Sequence, residues 1–354
     1  MNVMIRRQRN RLGVILPIVL VVLVILTVIA ASLARTARGN MTLSRRMLGA
    51  VSAKYLAWAG IVYAIDGIQK DSRHEEGRLF DTIHLCGAAP DETLTTRERF
   101  RDMTLKDGVF SIGYDVGGDY VDGFSDEESK IDLNGLNSEN INVLVQLLRM
   151  SGAEEEQSQT IAYAALDWKD GDDNPVHNDY GAEDDYYMSL PQPYHIKNFF
   201  FESFAELLLV KGMDESLLAQ IRPHVTLFPQ SDFLRINLDT ASETVLKAAG
   251  RSFTGGATNA DPDDADSLAE KIIDYRSGSD GHPGTDDDQR IDFQDMSLNQ
   301  KEQVIAEKLK TIQTNVSDHI RVRVHAREKL RKMTSTVEAV IDRNDLAIVQ
   351  WKRE

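Results

Sequence analysis

The feature that most limits this chain is an uncharged run close to its start. From Val14 to Ala34 it reads VILPIVLVVLVILTVIAASLA, preceded by Arg6, Arg7, Arg9, Arg11 and Gly13. As a helix rising about 1.5 Å per residue, the run reaches roughly 30 Å, the thickness of a bilayer's hydrocarbon core. A soluble helix would need a polar stripe, and this run has none. It therefore predicts a single membrane-spanning helix, and the basic flank predicts a cytoplasmic N-terminus with everything after Arg35 across the membrane. The competing reading is a secretory signal cut near the small residues Ser32, Ala34 and Ala37. The run exceeds the roughly 7–15 apolar residues of a signal core, which favours an anchor.

From Leu43 to Ile68 apolar residues recur at helical spacing: Leu48, Val51, Tyr55, Leu56, Ala59, Val62 and Tyr63. No proline and no turn cluster separates them from the apolar run. The pattern predicts one helix of about fifty residues, its first half in lipid and its second, amphipathic half laid on a domain. Farther on, a strand is predicted at Val109–Val116, ended by Gly117–Gly118. Two segments resemble each other, KIDLNGLNSENINVLVQL (Lys130–Leu147) and RINLDTASETVL (Arg235–Leu246). In each, Asn, Asp, Ser or Thr supplies an N-cap for the apolar helix that follows. Further helices are predicted at Gln157–Trp168, Phe201–Val210, Glu215–Ile221 and Ser267–Tyr275. Leu207–Ile221 has the shape of a helix-hairpin-helix, with Asp214 and Glu215 at its turn. The C-terminal part alternates as β-strands do, through His319–Ala326, Ser335–Ile341 and Leu346–Trp351, with a tight turn at Asn344–Asp345.

Composition removes several function classes. With 40 Lys+Arg against 56 Asp+Glu the formal charge is −16, which argues against nucleic acid, and acidic residues at the hairpin turn argue against phosphate binding there. The single cysteine, Cys86, excludes an intrachain disulfide and a cysteine-rich metal site. The eight histidines show no zinc-binding spacing, and no nucleophile elbow, Walker loop or dinucleotide fingerprint occurs. No enzyme is predicted.

A short basic leader ending in Gly13, followed at once by an apolar helix, resembles the type IV pilin signal. The resemblance implies cleavage by a prepilin peptidase after Gly13, leaving Val14 as the mature N-terminus with a methylated amine. Most such proteins carry glutamate at the fifth mature position, whereas this chain has Ile18 there, after Pro17. Within the superfamily, the K-type minor pseudopilins of type II secretion lack that glutamate. The phrases ALDWKDGDDNPVHNDYGAEDDYYMSL (Ala165–Leu190), INLDTASETVL and AEKIIDYR (Ala269–Arg276) resemble the same family, in the same order. The implied fold is α+β: a pilin-like long N-terminal helix packed on an antiparallel sheet, with a large, mainly α-helical insertion of SAM or helix-hairpin-helix character. The expected parts are a leader (1–13), a transmembrane half-helix (14–34), and the amphipathic half with the first part of the pilin-like domain (35–128). The helical insertion (129–316) and the C-terminal β part (317–354) complete them.

The resemblance further implies a single-pass protein of the bacterial inner membrane with a periplasmic body, capping a pseudopilus tip. Implied partners are the minor pseudopilins of I and J type, the major pseudopilin, the prepilin peptidase, the inner-membrane assembly platform and membrane lipid. Ile18, Tyr55, Ala59 and Val62 are the expected partner-binding positions. An unpaired carboxylate in the membrane is costly, so a subunit with Ile18 suits a terminal place. A membrane-anchored or secreted calcium-dependent binding protein or hydrolase is the alternative.

Asp167, Asp170, Asp172, Asp173, Asp179, Glu183, Asp184 and Asp185 crowd one loop. So many carboxylates need solvent or a cation, and a hard ion such as calcium takes oxygen ligands from irregular loops. Trp168, Pro175, Tyr186 and Tyr187 predict a packed loop. Asp170, Asp172 and Asn174 open like an EF-hand, but Pro175 and Gly181 stand where its glycine and glutamate belong. The family resemblance implies calcium in this insertion. The expected ligands are Asp170, Asp172, Glu183 and Asp184, then Asp167 and Asp173. Asp261–Asp266 and Asp280–Asp288 are read mainly as mobile loops, with a second ion as the alternative.

Overall fold

The computed structural model describes residues 15–73, 99–106, 108–116, 119–279, 281 and 288–353. Gly13, Val14, Cys86, Gly117–Gly118 and most of Asp280–Asp288 lie outside the described residues. Helix α1 is unbroken over 59 residues, Ile15–Arg73, about 88 Å at the usual rise. Pro17 falls in its first turn, where a missing N–H has no partner to lose. Up to Leu48 its described side chains are exposed, and packing begins at Gly49.

Four strands follow: β1 (Met103–Leu105), β2 (Gly108–Val116), β3 (Asp119–Asp122) and β4 (Ser125–Asp126). The chain then enters a region of short strands and helices. These are β5 (Ile131–Asp132), α2 (Asn142–Met150), α3 (Glu155–Lys169), α4 (Asp184–Met188), α5 (Glu215–Ile221), β6 (Val225–Thr226), β7 (Ile236–Asn237), α6 (Glu243–Arg251), α7 (Pro262–Arg276), α8 (Gln300–Leu309) and β8 (Gln313–Thr314). It returns as β9 (His319–Glu328), β10 (Thr334–Asp342) and β11 (Ile348–Arg353). The main sheet has the order β1-β2-β9-β10-β11, with β3 beside β2 and β4 beside β9, every pair antiparallel.

Alternation decides which face of the sheet meets α1. Val337 lies opposite Val324, Ala339 opposite Val322 and Ile341 opposite Ile320, and all six are buried. Against them α1 sets Ala53, Leu56, Ala57, Ile61, Ala64 and Ile68. Small residues let the helix come close. A Cβ on Gly60 would lie 2.4 Å from Val324 Cγ1, and one on Gly108 would lie 2.1 Å from Leu56 Cδ1. Gly60→Val is expected to cost about 1–3 kcal/mol through overpacking, read as a lowered melting temperature of the detergent-solubilised chain.

The helical region has its own core, made by buried residues from Ile131 to Ile312. It is built from two like halves, as the paired IDLN and INLD phrases suggest. In each half a two-residue strand opens, two packed helices of equal lengths follow (9 and 15 residues), and a parallel strand closes. Their hydrogen bonds correspond. Asn134 N–H donates to Asp132 Oδ1 (2.9 Å), and Asp239 N–H to Asn237 Oδ1 (3.2 Å). Phe201 N–H donates to Asn134 Oδ1 (2.7 Å), and Ile291 N–H to Asp239 Oδ1 (2.8 Å). The last cation of each long helix reaches a strand-loop carbonyl: Lys169 to Asn134 O (2.8 Å), Arg276 to Leu238 O (2.9 Å).

Three local expectations are corrected. Asp261–Asp266, read as a loop, forms the N-cap and first residues of α7, where Asp261 and Asp264 make a capping box. Phe201–Val210 is not an α-helix but a 3₁₀ turn at Phe204–Leu209, closed by a capping box of Ser203 and Glu206. Its leucines lack helical periodicity: Leu207 is buried while Leu208 and Leu209 are exposed. Helix α2 has no side-chain cap, because Ile141, which has no acceptor, stands at its N-cap, while Asn140 Oδ1 accepts Asn137 N–H (2.7 Å). Ser242 does cap α6, through Val245 N–H.

Three consecutive acids hold the helical region to the sheet. Asp126 accepts from Asn237 Nδ2 (2.9 Å), Thr240 Oγ1 (2.5 Å) and Ser317 Oγ. Glu127 receives Arg321 Nε (2.6 Å) and Nη2 (2.8 Å), Lys130 Nζ (2.8 Å) and Thr226 Oγ1. Glu128 accepts the N–H groups of Asp318 (3.0 Å) and His319 (3.3 Å). Burial opposes ionisation of Glu127, but Lys130 and Arg321 outweigh it and hold its carboxyl well below the usual range. Removing one partner of such a buried set strands the others. Glu127→Ala is therefore expected to lose about 3–5 kcal/mol in denaturant melts, with the two cores unfolding in separate transitions.

Candidate metal centre in the acidic loop

The loop between α3 and α4 is fastened before it is charged. Asp167, fully buried in the last turn of α3, accepts Val176 N–H at Oδ1 (2.8 Å) and Ala182 N–H at Oδ2 (2.6 Å). Gly181 has to be glycine, since a Cβ there would lie 2.3 Å from Asp167 Oδ2 and 2.8 Å from His177 O. Lys211 Nζ donates to Gly181 O (3.1 Å). Trp168 stacks on Phe201 and meets Tyr187 edge-on, with ring centroids 6.4 and 5.5 Å apart. The loop is packed, as its aromatics predicted.

That frame brings Asp170, Asp172 and Glu183 together, with one carboxylate oxygen of each within 4.8 Å of the others. Both oxygens of Glu183 and Oδ1 of Asp170 are buried without a hydrogen-bond partner. Burial, then the nearby Asp167, lifts the Asp170 carboxyl to about 6. Burial, then Asp167, Asp170, Asp172 and Asp173, lifts Glu183 to about 7. Three converging carboxylates, two of them with orphaned oxygens, fit a hard cation that takes oxygen ligands.

The other expected ligands stand elsewhere. Asp184 turns from the cluster: its Oδ2 meets His195 Nδ1 (2.8 Å) and its Oδ1 accepts Ile196 N–H (3.1 Å), which holds its carboxyl below the usual range. Asp167 spends one lone pair of each oxygen on backbone, and Asp173 is exposed. On α1, Ile18, Tyr55 and Val62 are exposed and Ala59 is half-buried. The Asp126–Glu128 grip was not singled out from the sequence, because its donors Thr226, Asn237, Thr240, Ser317 and Arg321 lie about 100 to 190 residues farther along the chain.

The comparisons with known proteins fall on this same region. Residues 129–230, from just before β5 to just past β6, match the family model of type II secretion system protein K. That stretch resembles a type II secretion protein K domain. Curated relatives called type II secretion system protein K are similar over various lengths. The protein of Pectobacterium carotovorum subsp. carotovorum is 27% identical over 67% of this chain and 68% of its own. That of Pseudomonas aeruginosa is 30% identical over 49% of each. That of Aeromonas hydrophila is 37% identical over 27% of this chain and 28% of its own. A chain of the solved GspK-GspI-GspJ complex from enterotoxigenic Escherichia coli shares the fold, with a TM-score of 0.61 over 88% of this chain and 99% of that one, at 15% identity. The K-type family resemblance and the α+β architecture expected from the sequence are both met.

The pH dependence follows from the raised carboxyls of the acidic loop. Between about pH 4.5 and 7, folded Asp170 and Glu183 hold protons that the unfolded chain has released. These two groups therefore make the ion-free protein less stable as pH rises through that window. Melting curves at pH 5.5 and 7.5 are expected to show calcium raising the melting temperature more at 7.5, and Glu183→Gln shrinking that difference.

Proposed function

We propose that this chain is a minor pseudopilin of type II secretion. In this reading α1 anchors it in the bacterial inner membrane, with the N-terminus cytoplasmic and the body periplasmic. It caps the pseudopilus tip and helps start assembly, in support of the export of folded proteins, and its role is structural rather than catalytic. The observation that carries the reading is the conjunction of a K-type domain with a helix of bilayer-spanning length and apolarity packed on an antiparallel sheet. The solved relative of the same fold sits in a complex with GspI and GspJ, which supports I- and J-type subunits as partners here. The major pseudopilin, the prepilin peptidase and the assembly platform are the other partners of this reading.

Two features give the terminal place a physical basis. Ile18 offers no carboxylate to a neighbour's N-terminal amine inside the membrane, so it does not direct a further subunit. The bulky helical region would block stacking above the sheet. Along α1, Leu48, Val51, Tyr55 and Val62 form an exposed stripe, at helical spacing, suited to side-by-side helix contact. Asp170, Asp172 and Glu183 would hold calcium, which would neutralise the loop and tie the end of α3 to the start of α4.

Intact mass of the chain from membranes tests the processing. A mature chain beginning at Val14 with a methylated amine is the expected result, and co-purification with I- and J-type pseudopilins should accompany it. A chain cut near Ala34, or an isolated body that binds or hydrolyses a ligand on its own, would overturn this function in favour of the calcium-dependent alternative.

A further inference from the structure

Between Val14 and Ile65 the chain has no Asp or Glu, but it has Arg35, Arg38, Arg45, Arg46 and Lys54. At 100° per residue the four arginines share an arc of about 100°, and Gly49 falls inside that arc. Gly49 is where the β9–β10 hairpin rests on α1: a Cβ there would lie 2.7 Å from Met333 Cγ and 3.0 Å from Arg331 Cδ. The arginines therefore continue the sheet-facing side of α1 into the space beneath the hairpin. The hairpin tip adds Lys329, Arg331 and Lys332, all exposed, around Leu330, which is 71% exposed. The β1–β2 turn lies at the same end, because Gly108 pairs with Glu328, and it presents Leu105 and Lys106. The acid of the hairpin tip, Glu328, is buried and turned inward onto Leu330 N–H (3.1 Å), Arg331 N–H (2.6 Å) and the Arg331 side chain (3.3 Å).

We propose that this basic end of the sheet docks on anionic phospholipid headgroups at the membrane surface from which α1 emerges. The inference rests on the membrane-anchor reading of α1. Lipid is the fitting partner because the arginine stripe starts at the first residue past the apolar run, which itself keeps the hairpin beside a bilayer. Exposed leucines set among lysines and arginines are the pattern of an interfacial anchor. Gly49 lies about 22 Å beyond Ala34 along the helix. A tilt of α1 toward the hairpin side, within the ordinary range of up to about 40°, lowers the tip toward the headgroups.

The test uses the full chain with Cys86→Ser and Leu330→Cys, labelled with a fluorophore and reconstituted into vesicles that carry a headgroup-linked quencher. Quenching is expected in vesicles of phosphatidylcholine with phosphatidylglycerol, and not in phosphatidylcholine alone. Lys329→Glu or Arg46→Glu should each reduce the docked-to-free ratio by about fivefold or more. Lys54→Glu, off the arc, should leave it unchanged, and about 1 M salt should abolish docking. Equal quenching in the two lipids by a chain that floats with the vesicles overturns the docking alone, as does quenching that requires an added acidic protein. A chain that does not float with vesicles overturns the anchor reading as well.

Discussion

Two passages of chain join the helical region to the sheet, one leaving at Asp126–Lys130 and one returning at Thr314–His319, and the buried acids at that joint decide how firmly they do it. Glu127 is the centre of the grip. It is inaccessible to water, yet its charge is retained, because Arg321 from β9 and Lys130 from the outgoing chain close on it together. Asp126 and Glu128 satisfy the returning segment on either side. A buried ion cluster is poor at adding net stability and good at specifying one arrangement. Here that arrangement fixes the orientation of a helical body on a sheet that is itself fixed to α1.

The second constraint is closeness. Gly60 and the alanines of α1 let the helix approach β9 and β10 closely, while Leu56, Ile61 and Ile68 fill the space beside them. Below Gly49 the same face has no sheet to meet, and its character changes from small and apolar to basic. One continuous helix thus presents three surfaces in succession: an exposed apolar run, a basic arc and a face packed on the sheet.

Regular patterns made much of this legible in the sequence. An apolar run with no charges, alternation in His319–Ala326 and Ser335–Ile341, and the twin phrases at Lys130 and Arg235 each came through as elements. What failed was local and non-periodic. The Leu207–Val210 run looked helical because it is apolar, though only one of its leucines is buried. The strands β5 to β8 are two-residue bridges, too short to leave an alternation. In the acidic loop the sequence gives carboxylates but not their donors. Asp184 was lost to His195 eleven positions away, and Asp167 to two backbone N–H groups, whereas Asp170, Asp172 and Glu183 have few such donors and are left to face one another.

The two halves of the helical region differ chiefly in what hangs from them. In each, the loop after the long helix leaves at a cation, Lys169 or Arg276, and comes back at an N–H held by Asn134 or Asp239. Both ends of the loop are thus anchored to the frame rather than to the loop's own contents. One mount thus carries excursions of different lengths. The first half has used it for a long acidic excursion, the second for a shorter one. The halves are two sockets of one design, and the first has drawn its excursion into the body, since Ala182, Tyr187 and Ile196 belong to the same core as the helices that bear it.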